Sequence, residues 1–147
     1  MYQELDILKR LINLREILFA EISKAFAEQE LSSTEIFVIY VLQHKKTEIK
    51  AGDLAAELFL PLSTLTGILD KMVDKGIVLR KRSDSDRRVV MIELNPEFKS
   101  RSDSCLEKLL SIAKEISDET PPGWFHRFGE DLKLLEDIME KRTRRND

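Results

Sequence analysis

Cysteine is nearly missing from this 147-residue chain, with Cys105 its single representative. An internal disulfide is excluded, and a lone thiol fits a reducing compartment. Histidine is almost as scarce: His44 and His126 stand in separate helical contexts and read as packing or surface residues. No Cys/His metal cluster, no Ser-His-Asp set and no glycine-rich phosphate loop stands at workable spacing. An enzyme is therefore the least supported class, and neither a metal nor a cofactor is expected. No apolar run approaches the roughly 20 residues that cross a bilayer. The opening MYQELDILKR mixes acids and bases where a signal peptide would be apolar. A cytoplasmic protein without a membrane partner is expected.

Charge is abundant, and its distribution is uneven. The net charge is −3 over residues 1–59, +3 over 60–92 and −3 over 93–147. Five basic side chains crowd the stretch RKRSDSDRRVVMIEL, Arg80 to Leu94. Acidic flanks around a basic centre point one face at an anionic partner.

Helical periodicity covers most of the rest. Residues 2 to 28 place Leu5, Leu8, Ile12, Phe19, Ile22 and Phe26 at alternating three- and four-residue steps, with Arg15 in the one gap. Leu11 and Leu18 widen the stripe. Ser32 followed by Glu35 reads as a capping box with Leu31 and Ile36 as its hydrophobic staple, opening a mostly buried helix. TEIK reads as a short extended connection, and AGDLAAEL as a short helix with Leu54, Ala55 and Leu58 inward. Pro61 marks a turn or a first helical position. Leu65, Ile68, Leu69, Met72 and Val73 continue in helical period up to Gly76, a left-handed stop. Two helices joined by a few residues form a helix-turn-helix pattern.

The period then changes. IVLRKR and RVVMIEL are rich in β-branched residues, and SDSD between them supplies turn chemistry, so a hairpin with a basic tip follows. Asn95-Pro96 restarts a helix whose seam is Leu106, Leu109, Ala113 and Ile116. DETPPG breaks it, and Thr120-Pro121 begins a last helix with Phe125, Phe128, Leu132, Leu135 and Met139 in step. The polar tail EKRTRRND is expected to fray. The predicted fold is mainly α with a small β-hairpin wing: a winged helix-turn-helix over residues 31–94, with residues 1–30 and 95–147 as a helical dimerisation region. Three long apolar stripes exceed what one winged unit can cover, which calls for a homodimer.

Double-stranded DNA is the partner this pattern fits. Ser63, Thr64 and Thr66 open the second helix, where short hydroxyls and free amides suit phosphates and base edges; they also simply favour a helix start. Lys71 and Lys75 lie further along, in reach of phosphates. Arg87 and Arg88 at the hairpin tip suit a narrow minor groove, and Asp86 suits an internal partner that directs an arginine. Arg80 and Arg82 read as serving phosphates or the loop's own aspartates. The bland alternative is a solvated turn with local ion pairs.

DLAAELFLPLSTLTGILDKMVDKGIVLRKRSDSDRRVVMIEL resembles the DNA-binding core of the MarR family of transcription regulators. Asp86, Arg88, Ile92 and Leu94 match that family's wing pattern, and Lys75 to Val78 match its join from recognition helix to wing. The resemblance implies a homodimer closed by the terminal helices, a pseudo-palindromic operator, Arg87 or Arg88 probing the minor groove, and Asp86 bracing the wing. The chain departs from the pattern at Leu94-Asn95-Pro96, where many members have Leu-Thr and a glycine. It departs again at Gly67, where many carry a basic or polar side chain. Gly67 is nonetheless placed on the reading face with Ser63, Thr64 and Thr66.

Trp124, Phe125 and Phe128 read as dimer core or as lining for the small aromatic effector common in that family. Cys105 reads as a small semi-buried residue, with redox sensing as the alternative. The expected function is a transcriptional regulator, a repressor released by an effector. The rival is a winged-helix protein-interaction module without sequence-specific DNA binding.

Overall fold

The computed structural model describes residues 2–146. It divides into two compact units, one running through Leu106 and one from Glu107 onward. Among the described residues no single helix is long and apolar enough to cross a membrane.

In the first unit, helix α1 (Gln3–Ala25) begins with Glu4 and Asp6 at its positive dipole end. Its C-terminal part is docked: Ile22 and the following Phe26 are buried. The Ser33 hydroxyl reaches across from the next helix and donates to the Phe19 carbonyl at 2.6 Å. Arg15, the gap in the apolar stripe, lays its guanidinium 4.7 Å from the Phe19 ring centroid, so its stem continues the stripe by a cation–π contact. Leu5, Leu8 and Ile12, further up the same stripe, stand exposed.

Helix α2 (Ser33–Lys45) starts on the expected capping box. Ser32 Oγ accepts from the Glu35 N–H at 3.2 Å, and the Glu35 carboxylate accepts from the Ser32 N–H at 3.0 Å. Leu31 and Ile36 are both buried beside it. Ile36, Val38, Ile39, Val41 and Leu42 bury nearly the whole circumference, which makes α2 the centre of the core.

Helix α3 (Ala51–Glu57) is short and buries Leu54 and Ala55, with Leu58 half-buried. Helix α4 (Leu62–Asp74) leaves it at 108°, the crossing of a helix-turn-helix. Pro61 is the N-cap of α4, one position earlier than a first helical residue. Both helices end alike. The N–H groups of Gly76 and Ile77 return to the carbonyls of Val73 and Met72, while those of Phe59 and Leu60 return to Ala56 and Ala55. This is the Schellman arrangement, whose C′ residue must be left-handed. Gly76 adopts φ +72 there at little cost, whereas Phe59 adopts φ +52 with 67% of its surface exposed. A Cβ in that region costs about 1 kcal/mol or more. Phe59→Gly is therefore expected to stabilise the fold by about 1 kcal/mol, read as a rise in thermal midpoint of roughly 3 °C.

The sheet has three antiparallel strands in the order β1-β3-β2. TEIK is more than a connection, because Ile49–Lys50 form β1 and pair with β3 in the register Ile49 to Ile92. Two residues are too few to show a period, and the pairing spans more than forty positions of chain. Strands β2 (Val78–Arg82) and β3 (Val90–Leu94) make the hairpin, with Arg80 opposite Ile92 and Arg82 opposite Val90. Ile92, flanked on both sides, is fully buried. The hairpin opens earlier than the β-branched pattern implied, so Arg88 and Val89 lie in the tip, where the Val89 N–H bonds back to the Asp86 carbonyl at 2.9 Å.

Asn95 explains how the chain tolerates its departure after the wing. Its side-chain oxygen caps the Glu97 N–H at 3.1 Å, and its Nδ2 donates to the Gly76 carbonyl at 2.9 Å. One residue thus starts the next helix and latches it to the end of α4. After a single turn of 3-10 helix, α5 (Lys99–Asp118) buries Ser102 and Cys105 and crosses into the second unit.

In the second unit, Leu109 is half-buried while Ala113 and Ile116 are exposed. Helix α6 is Trp124–Asn146, starting later than Thr120-Pro121. The Thr120 hydroxyl donates back to the Ser117 carbonyl at 2.7 Å, closing α5 instead of opening α6. The polar tail stays helical through Asn146, supported by i,i+4 pairs such as Arg144–Glu140 at 3.6 Å; Asp147 lies outside the described residues. Leu134, Ile138 and Met139 stand exposed along α6.

Candidate nucleic-acid interface

The buried residues of α4 are Leu65, Leu69 and Met72. At about 100° per residue, Ser63, Gly67 and Asp70 point the other way, with Thr64, Thr66 and Lys71 on the flanks, and all six are exposed. Pro61 has no side-chain oxygen to cap the helix. The first amide bonded to the preceding turn is that of Leu65, to the Pro61 carbonyl at 3.1 Å. The N–H groups of Leu62, Ser63 and Thr64 are left for an outside acceptor. Thr66 Oγ1 donates back to the Leu62 carbonyl of its own helix at 2.9 Å and stays at the surface, with its oxygen open as an acceptor. Gly67 is an interior helical glycine whose missing Cβ would meet nothing within 4 Å. It costs about 1 kcal/mol of helix propensity against alanine.

The basic residues fall into two groups. Three are tied by neighbours outside the wing loop's acids. Arg80 Nη1 donates to Asp70 Oδ1 of α4 at 2.7 Å, joining wing and helix. Lys81 Nζ lies 2.6 Å from Glu48 Oε2, and that hydrogen bond, with the charges of Glu48 and then Glu93, holds its ammonium above the ordinary value. Arg82 Nη1 donates to the Arg87 carbonyl at 3.2 Å. Neither Arg80 nor Arg82 meets the loop's own aspartates. Lys75 is drawn away from the surface role sketched for it: its ammonium sits 3.1 Å from both Glu35 oxygens and 2.7 Å from the Glu30 carbonyl.

The second group faces outward. Lys71 and Arg87 are exposed, and their side chains have no acidic partner among the described residues. Arg88 is 93% exposed, with Nε 3.4 Å from Asp86 Oδ1. The same oxygen accepts from the Arg88 N–H at 3.0 Å, so Asp86 shapes the tip through backbone as well as charge.

Asp70 and Glu48 are the residues that sequence reasoning passed over. Each holds a basic side chain of β2 from a different element, and no local spacing announces such a pair. The remaining singled-out residues lie elsewhere. His44 stacks on Tyr40 with ring centroids 6.0 Å apart, His126 lies 3.6 Å from Glu130, and Cys105 is buried. Trp124 and Phe128 stack at 5.0 Å, with Phe125 exposed beside them.

A helix-turn-helix followed by a small sheet whose hairpin ends in exposed arginines defines a winged helix-turn-helix protein. Comparison with known proteins carries this further. A model described as the MarR family matches residues 31–90. The uncharacterized HTH-type transcriptional regulator YfiV of Bacillus subtilis (strain 168) is 32% identical over 111 residues, which is 76% of this chain and 69% of that protein. The HTH-type transcriptional repressor YetL of the same organism is 27% identical over 121 residues, 79% of this chain and 68% of its own. Among solved structures, a mutant MarR from E. coli complexed with operator DNA has a similar fold. Its TM-score is 0.78 at 20% identity, covering 92% of this chain and 97% of that one. The chain belongs to the MarR family and is a transcriptional regulator of MarR type.

Proposed function

We propose that the protein is a homodimeric repressor on a pseudo-palindromic operator, with α4 in the major groove and the wing tip at the neighbouring minor groove. The observation that carries this reading is the sorting of charge. In a chain of net charge −3, residues 60–92 carry a net +3, and the cations of that stretch that reach outward, Lys71, Arg87 and Arg88, lie on the recognition helix and the wing. Ser63 and Thr64 with the open amides of α4 meet phosphates and base edges, Thr66 offers its oxygen to a base-edge donor, Lys71 meets phosphate, and Gly67 lies at the centre of that face. Arg87 and Arg88 enter the minor groove, where negative potential is strongest. Asp86 braces the tip, and Arg80 and Arg82 hold the wing in register while adding positive field. The E. coli MarR complex with operator DNA and the repressor designation of YetL support the same reading.

The dimer rests on apolar surface. Leu5, Leu8 and Ile12 on α1, and Leu134, Ile138 and Met139 on α6, are exposed. A second copy covers them in this reading, so residues 1–30 and 95–147 form the dimerisation region. Trp124, Phe125 and Phe128 are assigned to that contact. Release by a small aromatic effector extends the proposal, and titrating aromatic acids against the operator complex tests that part.

The deciding experiment is a footprint of the purified protein on a bound genomic fragment, repeated across a salt series. Two-fold symmetric protection is expected, with half-sites about one helical turn apart, together with affinity that falls steeply as salt rises. Protection without two-fold symmetry sinks the dimer. Binding that ignores salt returns the protein-interaction module as the better account.

A further inference from the structure

We propose that Gly67 is a specificity-determining residue: with no side chain there, the backbone of α4 can lie directly against the base edges, and the operator is chosen by closeness of fit at that point. This rests on the DNA-reading role assigned to α4 above and names how that role is carried out.

Nothing within the chain calls for glycine at this position. Gly76 and Gly123 are left-handed, with φ +72 and +74, so each relieves a backbone strain; Gly67 is not among the positive-φ residues. A Cβ at Gly67 meets no atom within 4 Å, so packing does not exclude a side chain either. The loss of helix propensity described above therefore goes uncompensated inside the protein. Two other glycines are equally open, but their settings differ. Gly52 lies in the first turn of α3, and Gly129 lies on α6 in the region assigned to the second copy.

The direction of Gly67 is also settled. It points away from Leu65, Leu69 and Met72, between Ser63 one turn before and Asp70 and Lys71 one turn after. That face carries no Arg, Asn or Gln, the planar side chains that read a base through a forked pair of hydrogen bonds; Lys71, its one cation, is a point charge at the flank. Asp70, the one carboxylate there, is already bonded to Arg80. A helix face without a forked donor discriminates by distance and shape, and a missing side chain at its centre gives the closest approach a groove can accept.

The test uses the full-length protein and a duplex enriched by it from a random-sequence library, with a scrambled duplex of equal length as reference. Gly67→Ala is expected to raise the thermal midpoint by about 3 °C. The same variant should lower affinity for the enriched duplex at least tenfold, with less than about a twofold change on the scrambled one. Gly67→Ser should lose affinity in the same way although it adds a hydrogen-bonding group. Enriched-duplex affinity within about twofold of the native protein overturns the inference, and so do equal losses on both duplexes. If the native protein enriches no sequence at all, the DNA-reading assignment falls and takes this inference with it. Enrichment by the native protein with unimpaired binding by Gly67→Ala removes the inference alone.

Discussion

Replacing Arg87 and Arg88 together with alanine is expected to lower DNA affinity by roughly 100-fold at physiological salt while leaving the fold and the proposed dimer intact. Both side chains are exposed, and the one ion pair they make among the described residues, Arg88 with Asp86, lies at the surface. Such pairs contribute at most about 1 kcal/mol and often nothing measurable. The thermal midpoint should therefore hardly move. Binding depends on these cations differently. Each charge brought against the backbone releases about one counterion, so the slope of log affinity against log salt should flatten by about 2 in the double variant. Isothermal binding across a salt series, with light scattering to follow the dimer, checks both halves. A double variant that binds like the native protein removes the wing from the interface. One that loses binding only because it dissociates or unfolds also counts against the assignment.

Glu35→Ala is expected to produce the largest loss of stability, about 2–3 kcal/mol, seen as a thermal midpoint lower by roughly 6–9 °C. Glu35 is buried, and its carboxylate does two things at once. It closes the capping box by accepting from the Ser32 N–H, and it accepts from the Lys75 ammonium with both oxygens at 3.1 Å. Lys75 stands at the C-cap of α4, so this single carboxylate fastens the start of α2 to the end of α4. Removing it frees a cap worth about 1 kcal/mol. It also leaves a half-buried ammonium with only the Glu30 carbonyl as partner, which is the more expensive part. Lys75 keeps 38% of its side chain exposed, so water softens the loss to well below that of a fully buried pair. Glu35→Gln separates the two contributions, because glutamine still closes a capping box while the ion pair is gone. It should keep the larger share of the loss, about 1–2 kcal/mol in chemical denaturation. Equal losses for both variants would show that the cap contributes nothing.

Local devices in this chain were legible because they act within a few residues. The Ser32–Glu35 capping box needs only four positions, and the left-handed stop at Gly76 needs only a glycine after an apolar period. Asn95-Pro96 begins a helical segment for reasons carried by those two side chains. The misjudged boundaries share a cause. Thr120 resembles an N-cap, but its hydroxyl finds the Ser117 carbonyl behind it and finishes α5. Arg88 and Val89 resemble strand residues, but Asp86 folds them into the tip by bonding their N–H groups through its side chain and its carbonyl. In both cases a short polar side chain had two bonding choices, and the pattern alone could not rank them.

Hydrophobic period and turn chemistry alone determined the succession of helices and hairpin, because those rules operate over one or two turns of chain. They also marked Ser63 to Lys71 and Arg87–Arg88 as the stretches of interest. Only the tertiary structure decided which charges face outward. Arg80 with Asp70, Lys81 with Glu48 and Lys75 with Glu35 are joined across ten, thirty-three and forty positions, between elements whose approach depends on burying Leu54, Leu65, Leu69 and Ile92 in one core. Coulomb attraction at about 3 Å is decided by where the backbone is carried, and the backbone is carried by packing. The sequence holds every charge of the basic centre; the fold is what engages Lys75, Arg80, Lys81 and Arg82 and leaves Lys71, Arg87 and Arg88 facing solvent.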